Sequence, residues 1–401
     1  MPRFARLLAE GMQQRGHTVT CWSPEAFFLN AAKGPAAQKW LGYLDQYVRF
    51  PLQVRRRLKQ CPDDTLFVFT DHALGPWVPL VADRPHVIHC HDFMAQRSAR
   101  GEMAENPTAL SGRLYQGFIR RGYRAGKNFI SVSEVTRTDL HRFLSARPAL
   151  SRVVYNGLNQ PFVPTDAVMA RQHLGSRLGL DLTDGYVLHV GGNQWYKNRR
   201  GVVEIYNAWR TRSSQRLPLL MIGTAPTTEL LEVQEQSRFG DDIVWLNEPE
   251  DEAVRLAYAG AAVFLFPSLL EGFGWPVAEA MAAGCPVITT NVAPLTEVAG
   301  EAAFLIPVRP KQQAQVPDWA ADAAVVLEQV LGLSSWQRGQ VVAAGFANAA
   351  RFDPSHMLDQ IEAIYQAIFQ EKKNYEHTPG HQQHESEGRR PLPGHPELHV
   401  R

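Results

Sequence analysis

Short apolar runs rich in β-branched residues alternate along this chain with longer stretches whose apolar positions recur every three to four residues. The runs at 18–22, 66–70, 86–90, 128–133 and 152–155 predict strands in the first half. A second series falls at 186–190, 218–222, 243–246, 262–266, 286–289 and 303–306. Helical periodicity lies between them, at 3–15, 113–124, 135–143, 200–211 and 276–283. Strands that are apolar almost throughout belong to parallel sheets covered on both faces, because alternation would mark a solvent-facing side. The Pro-bearing stretch 159–184 separates the two series. The pattern predicts an α/β chain of two doubly wound, Rossmann-like domains, 1–165 and 166–350, facing across a cleft. Ligands of such sheets bind at the carboxyl ends of the strands, so the cleft is the expected site.

Both ends depart from this scheme. Residues 316–371 read as helical, with Asp353-Pro-Ser opening a final helix, 351–371, expected to pack back toward the first domain. From Lys372 to Arg401 the chain is polar, bears Pro and Gly, and is expected to be disordered. Five of the 14 histidines fall there (His377, His381, His384, His395, His399), too irregularly spaced to favour a metal role. At the start, helix 3–15 leads through Gly16-His17 into run 18–22. A strand and a tight glycine turn normally precede such a helix, so the first strand is expected to be missing, with a start upstream of Met1 favoured.

Charge narrows the partners. The 401 residues carry 41 Lys+Arg and 40 Asp+Glu, a net charge of +1, without the basic excess of a polyanion binder. No nucleic-acid partner is expected. Cys21, Cys61, Cys90 and Cys285 are scattered and form no CxxC pair, which reads as reduced thiols. No apolar run reaches the roughly 18 residues of a membrane span and no secretion signal opens the chain, so a cytoplasmic protein is expected. Two segments, 39–59 and 113–127, mix aromatics with clustered arginines. A basic helix is ordinarily a solvated face, but this composition also suits peripheral contact with the inner face of the cytoplasmic membrane.

The chemistry concentrates in one stretch. A buried run ends at Pro267-Ser268, a loop carries Glu271-Gly-Phe-Gly, and Pro276 opens a helix from its favoured first turn. Two glycines allow close backbone approach, and free N–H groups leading into a helix N-terminus form an anion site suited to a diphosphate. Glu279 in the first turn can accept hydrogen bonds from ribose hydroxyls, and Glu271 can reach the hydroxyls of a sugar. A first-turn glutamate also suits the helix dipole with no ligand at all. The joint pattern is what points to chemistry.

This segment resembles the Glu-x7-Glu motif of the retaining glycosyltransferases of family four (glycosyl transferases group 1), which have the GT-B fold. Gly284-Cys-Pro-Val-Ile and Leu295-Thr-Glu-Val-Ala-Gly-Glu-Ala-Ala resemble the run that follows that motif. The resemblance implies that Glu271 contacts the donor sugar, Glu279 binds the ribose, and amides around Gly272, Phe273 and Gly274 hold the diphosphate. Val187-Leu-His-Val-Gly-Gly-Asn-Gln-Trp-Tyr-Lys-Asn-Arg is similar to the family's basic loop, which makes Lys197 the cation for the leaving diphosphate. The family's arginine five residues earlier is Gly192 here, so Arg199 or Arg200 is expected to supply the second charge. Val87-Ile-His-Cys-His-Asp resembles the strand ending at the reaction centre, which implies a sugar contact for His91. Asp92 and Glu297 are candidates for acceptor contact or support. Ile130-Ser-Val-Ser-Glu and Val153-Val-Tyr-Asn-Gly-Leu also match, and read as framework, with Ser133 capping a helix.

The implied activity is hexosyl transfer from a nucleotide-diphosphate sugar, UDP- or GDP-linked with GDP-mannose the narrower expectation, to a glycan or lipid-linked acceptor in polysaccharide or lipopolysaccharide assembly. The first domain would be the acceptor side and the second the donor side. No cofactor and no metal are expected, since no Asp-x-Asp motif stands out. Two alternatives share the fold: a sugar-nucleotide 2-epimerase, and a sugar-nucleotide binder without activity.

Overall fold

Two parallel sheets organise the chain in a computed structural model that describes residues 2–376 apart from Ala32, Asn159 and Val163. The first sheet has four strands in the order β1-β2-β3-β4: Phe67–Phe69, His86–Cys90, Asn128–Ser131 and Leu150–Val153. The second has β5 Val187–Val190, β6 Leu219–Gly223, β7 Ile243–Asn247, β8 Val263–Phe266, β9 Val287–Thr290 and β10 Ala303–Ile306. Its order is β10-β9-β8-β5-β6-β7, every pair parallel. The switch of direction between β8 and β5 places the loops after these two strands side by side, where a doubly wound sheet binds its ligand.

Burial explains the strand composition. β2, β3, β8 and β9 are buried at every residue, as central strands between two helical layers must be. In the second domain one cluster around Leu188, Phe264, Phe266, Val277 and Met281 fills one face of the sheet. Another around Val187, Leu265, Val203, Trp209 and Leu327 fills the opposite face.

The domains are joined twice, and the two crossings run together. Leu158 N donates to Phe352 O at 2.9 Å, and a Cβ on Gly157 would stand 2.7 Å from Pro354 Cα. The last helix, Pro354–Glu376, then lies on the first, Pro2–Gln14, through Phe4, Leu8, Met12, Leu358 and Ile361. Arg15 pairs with Asp359 at 2.7 Å, and Tyr365 hydroxyl meets His89 Nε2 at 2.9 Å beneath the first sheet.

Two expectations are corrected, at the first run and at the tail, and one stretch gains an element. Residues 18–22 are not a strand: they are largely exposed, and no neighbouring strand pairs with them among the described residues. Trp22 instead lies tilted against Phe67, 5.9 Å between ring centroids. The separating stretch 159–184 contains a helix, Ala167–Leu178, which packs on Asp251–Gly260 as part of the second domain. The tail expected to be irregular from Lys372 is helical through Glu376. Residues 377–401, with their five histidines, lie outside the described residues.

Candidate active site

The loop after β8 is shaped by its own residues. Ser268 Oγ lies 2.8 Å from Tyr196 O and 2.7 Å from Glu271 Oε1, and Leu269 N donates to Tyr196 O at 2.7 Å. Gly274 has φ of 105°, a left-handed geometry that an L side chain resists, and stands as N-cap of Trp275–Ala282 without a side-chain cap. Pro276 sits in the first turn. The helix therefore opens on N–H groups that no side chain satisfies, the arrangement expected for an anion.

The loop after β5 delivers the cation. Trp195–Lys197 forms one 3-10 turn, and Asn198 takes a left-handed conformation at φ 52°. Asn198 caps the next helix through Gly201 N, while its Nδ2 donates to Pro267 O at 2.8 Å. These two bonds fix the loop after β5 to the loop after β8. Lys197 Nζ consequently lies 2.8 Å from Glu271 Oε1, with both side chains largely buried, and 5.1 Å from the Phe266 ring centre. A diphosphate entering here would compete with Glu271 for that ammonium.

Glu279 was expected in the first turn of this helix but lies in the second, since the helix starts at Trp275; half-buried there, it accepts from Tyr258 hydroxyl at 3.0 Å. Burial raises its pKa to about 7, outweighing the opposing pull of the Tyr258 bond and of Lys197 and Arg3. Arg3 reaches this region from the first domain, its Nη2 3.2 Å from Asp251 Oδ1. Burial likewise pushes the Tyr196 hydroxyl up to about 12, aided by the negative fields of Glu271 and Asp92. Residues of both domains thus act on the same small volume.

The first domain meets the donor loop backbone to backbone. A Cβ on Gly272 would collide with His91 O and stand 2.9 Å from Asp92 Cβ. Ser133 Oγ donates to Gly272 O at 2.8 Å while accepting from Thr136 N, so the expected cap is also an interdomain contact. The His91 ring is buried, donates through Nε2 to Thr70 O at 2.9 Å, and packs on Phe4 at 4.7 Å. Burial lowers its pKa, so the ring is neutral with its proton on Nε2. What His91 turns toward the donor loop is its carbonyl oxygen. Asp92 Oδ1 accepts from Met94 N at 3.0 Å.

Several expected residues go elsewhere. Arg199 Nη1 donates to Thr224 O at 2.9 Å and to Asn193 Oδ1, and the guanidinium stacks on Trp245 at 4.8 Å. Only 4% exposed, with its pKa lowered to about 10 by burial, it is committed to the β6–β7 side and does not join Lys197 in a clamp. Arg200 is engaged by Glu204 and Glu229 on the helix surface. Neither replaces the charge missing at Gly192. Glu297 accepts from Glu134 N at 2.9 Å and Val135 N at 3.2 Å, so it caps a first-domain helix across the cleft. Sequence reasoning missed Ser268, Tyr258, Asn198, Arg3 and Asp251. Only Asn198, an Asn directly before a helical run, carried a legible capping signal. Among the described residues no group of three or more His, Cys, Asp or Glu is gathered as a metal site would require.

Two Rossmann-like domains with parallel sheets make up a GT-B fold, and an uncapped helix terminus, a lysine and two glutamates gather at the carboxyl ends of its central strands. Residues 184–326 match the family described as Glycosyl transferases group 1, and residues 1–160 match Glycosyltransferase Family 4. The chain belongs to the group 1, family 4 glycosyltransferases. It is 32% identical over 186 residues to O-antigen chain mannosyltransferase B of Escherichia coli, 46% of each chain. It is 22% identical over 201 residues to O-antigen chain mannosyltransferase RfbU of Salmonella typhimurium, 50% of this chain and 52% of that one. The chain thus spans about half the length of either relative. The fold is similar to that of HepE of Anabaena, solved with UDP and glucose, with a TM-score of 0.61 at 17% identity. That match covers 81% of this chain and 83% of the other.

Proposed function

We propose that the chain is a retaining glycosyltransferase that moves a hexose from a nucleotide-diphosphate donor to a glycan carried on a lipid. Polysaccharide or lipopolysaccharide assembly at the inner face of the cytoplasmic membrane is its setting. The observation that carries this reading is the Lys197–Glu271 pair beside the uncapped start of Trp275–Ala282. A cation and free amides meet there next to a carboxylate able to hold sugar hydroxyls. The similarity to two O-antigen mannosyltransferases supports mannose as the sugar.

In this reading the diphosphate lies on the amides of Phe273 to Trp275 and takes Lys197 from Glu271. The freed Glu271 then binds the hexose, and Glu279 accepts from the ribose. As the sugar–phosphate bond breaks, Lys197 and the amides stabilise the charge gathering on the departing oxygen. The acceptor hydroxyl attacks from the same face, and its proton passes to that oxygen, so no protein base is required. No metal takes part, so EDTA leaves the rate unchanged; loss of activity on chelation would overturn that part.

Thermal-shift titration with UDP-, GDP- and ADP-sugars, followed by incubation of the stabilising donor alone, tests the assignment. Stabilisation by one donor with slow hydrolysis to nucleoside diphosphate is the expected result. Conversion of the donor to an isomeric sugar nucleotide would identify an epimerase, and binding with neither outcome an inactive binder.

A further inference from the structure

Beside the Lys197–Glu271 pair, toward β6 and β7, the second domain presents a floor of backbone without side chains. Gly191 and Gly192 follow β5 and Gly223 ends β6; all three are half-buried. A Cβ on Gly223, whose φ is 147°, would collide with Gly191 O. Glu248, the residue after β7, donates its N–H to Gly223 O at 2.8 Å. The turns after β5, β6 and β7 therefore lie edge to edge, in the order of the sheet. Lys197 belongs to the first of these turns, and the last opens helix Asp251–Gly260, which carries Tyr258, the partner of Glu279. Asp251 and Arg3 also act on the Glu279 carboxyl through their charge, so the start of that helix is near it. A nucleoside with its ribose on Glu279 and its diphosphate at Lys197 would lay its base on the glycine floor, with the edge toward Glu248.

The rim where this floor ends accepts hydrogen bonds and offers none. Glu248 N is spent on Gly223 O, and Pro249 has no N–H. The other acids of the turn are engaged: Glu250 and Glu252 with Arg177 at 3.3 and 3.6 Å, and Asp251 with Arg3 at 3.2 Å. Glu248 is exposed, and its carboxylate has no hydrogen bond or ion pair among the described residues. The bond to Gly223 O holds its backbone in the left-handed region at φ 46°. Rooted beside Gly223, a side chain of this length can bring its carboxylate over the edge of the floor.

We propose that Glu248 reads the base of the donor nucleotide and selects guanine, an assignment that rests on the donor reading above and deepens it. An ionised carboxylate accepts at both oxygens and donates at neither. Guanine presents N1–H and the 2-amino group side by side, two donors for those two oxygens. Uracil presents a single donor, N3–H, between two carbonyl oxygens, and adenine sets its amino group beside a bare ring nitrogen. Either base would turn a lone pair against a carboxylate oxygen. An acceptor-only rim thus favours guanine through the charge-assisted bonds it makes and rejects the others through the repulsion they meet.

Calorimetry of the full chain with GDP, inosine diphosphate, UDP and ADP tests the assignment. GDP is expected to bind at least about tenfold more tightly than each of the others, inosine diphosphate included, which keeps N1–H and lacks only the 2-amino group. In Glu248→Gln the ratio of GDP to inosine diphosphate affinity is expected to fall toward one. UDP should bind that variant no more weakly than the parent, because a carboxamide offers a donor to O4 and an acceptor to N3–H. Glu248→Gly, a change that suits the left-handed backbone, should level all four affinities. Thermal unfolding near that of the parent checks that both variants fold. A parent chain that prefers UDP or ADP, or a preference for GDP over inosine diphosphate that survives both changes, overturns the proposal and leaves the donor site standing. Binding of none of the four by the folded parent chain would defeat the donor reading itself, and this assignment with it.

Discussion

Lys197 carries the heaviest demand at the residue scale, because among the cations expected for the donor clamp it alone is aimed at the donor loop. Lys197→Ala is expected to lower turnover by about 100-fold or more, since one preorganised donor to a developing oxyanion is typically worth that much. Near-normal turnover in steady-state assays would mean that another cation performs this role. Glu279 gives a pH signature. Its burial-raised pKa of about 7 means that the carboxylate able to accept ribose bonds is lost as pH falls through neutrality. Nucleotide affinity by calorimetry should therefore fall below about pH 7, by at most about tenfold per unit, and Glu279→Gln should flatten that dependence. The stability effect has the opposite sign. A carboxyl made less acidic by folding costs stability as pH rises from its ordinary range to about 7, so Glu279→Gln should unfold at higher temperature than the parent at pH 8 and lose that advantage at pH 4. The sequence displayed these side chains but not their direction. Arg199 and Lys197 are two residues apart, yet the left-handed Asn198 between them sends one to Glu271 and the other to Thr224 and Trp245.

Elements of the second domain were the most legible. All six runs from residue 186 onward are strands within one residue of their expected ends, because buried central strands are apolar throughout and bounded by turn residues. Run 18–22 has the same β-forming composition but lacks a paired neighbour, and propensity alone does not make a ladder. Helix Ala167–Leu178 escaped notice because it buries little beyond Ala170 and Leu174, leaving a thin periodic signal among polar residues. The Glu-x7-Glu loop was readable as a phosphate site, yet its contact with the first domain was not, since that depends on two backbones meeting. Gly272→Ala tests the contact. The added Cβ runs into His91 O, so the variant should separate the two domains and lose transfer activity while still binding nucleotide to the second domain. Small-angle scattering unchanged from the parent, with full activity, would show that the loop has room to move.

On the scale of the whole molecule the chain is two sheets hinged where Leu158 meets Phe352, with the last helix strapped to the first. Glu297 and Ser133 reach across the cleft from opposite domains, so the site is completed only when the domains approach. Such closure would exclude water and protect the proposed donor from hydrolysis. The most direct test of the account is the anomeric configuration of the product formed from an α-linked donor sugar and a glycan acceptor, read from one-bond carbon–proton couplings by nuclear magnetic resonance. An α-linked product that disappears with Lys197→Ala is the predicted result. A β-linked product, or an altered donor with no glycosidic bond formed, would contradict it.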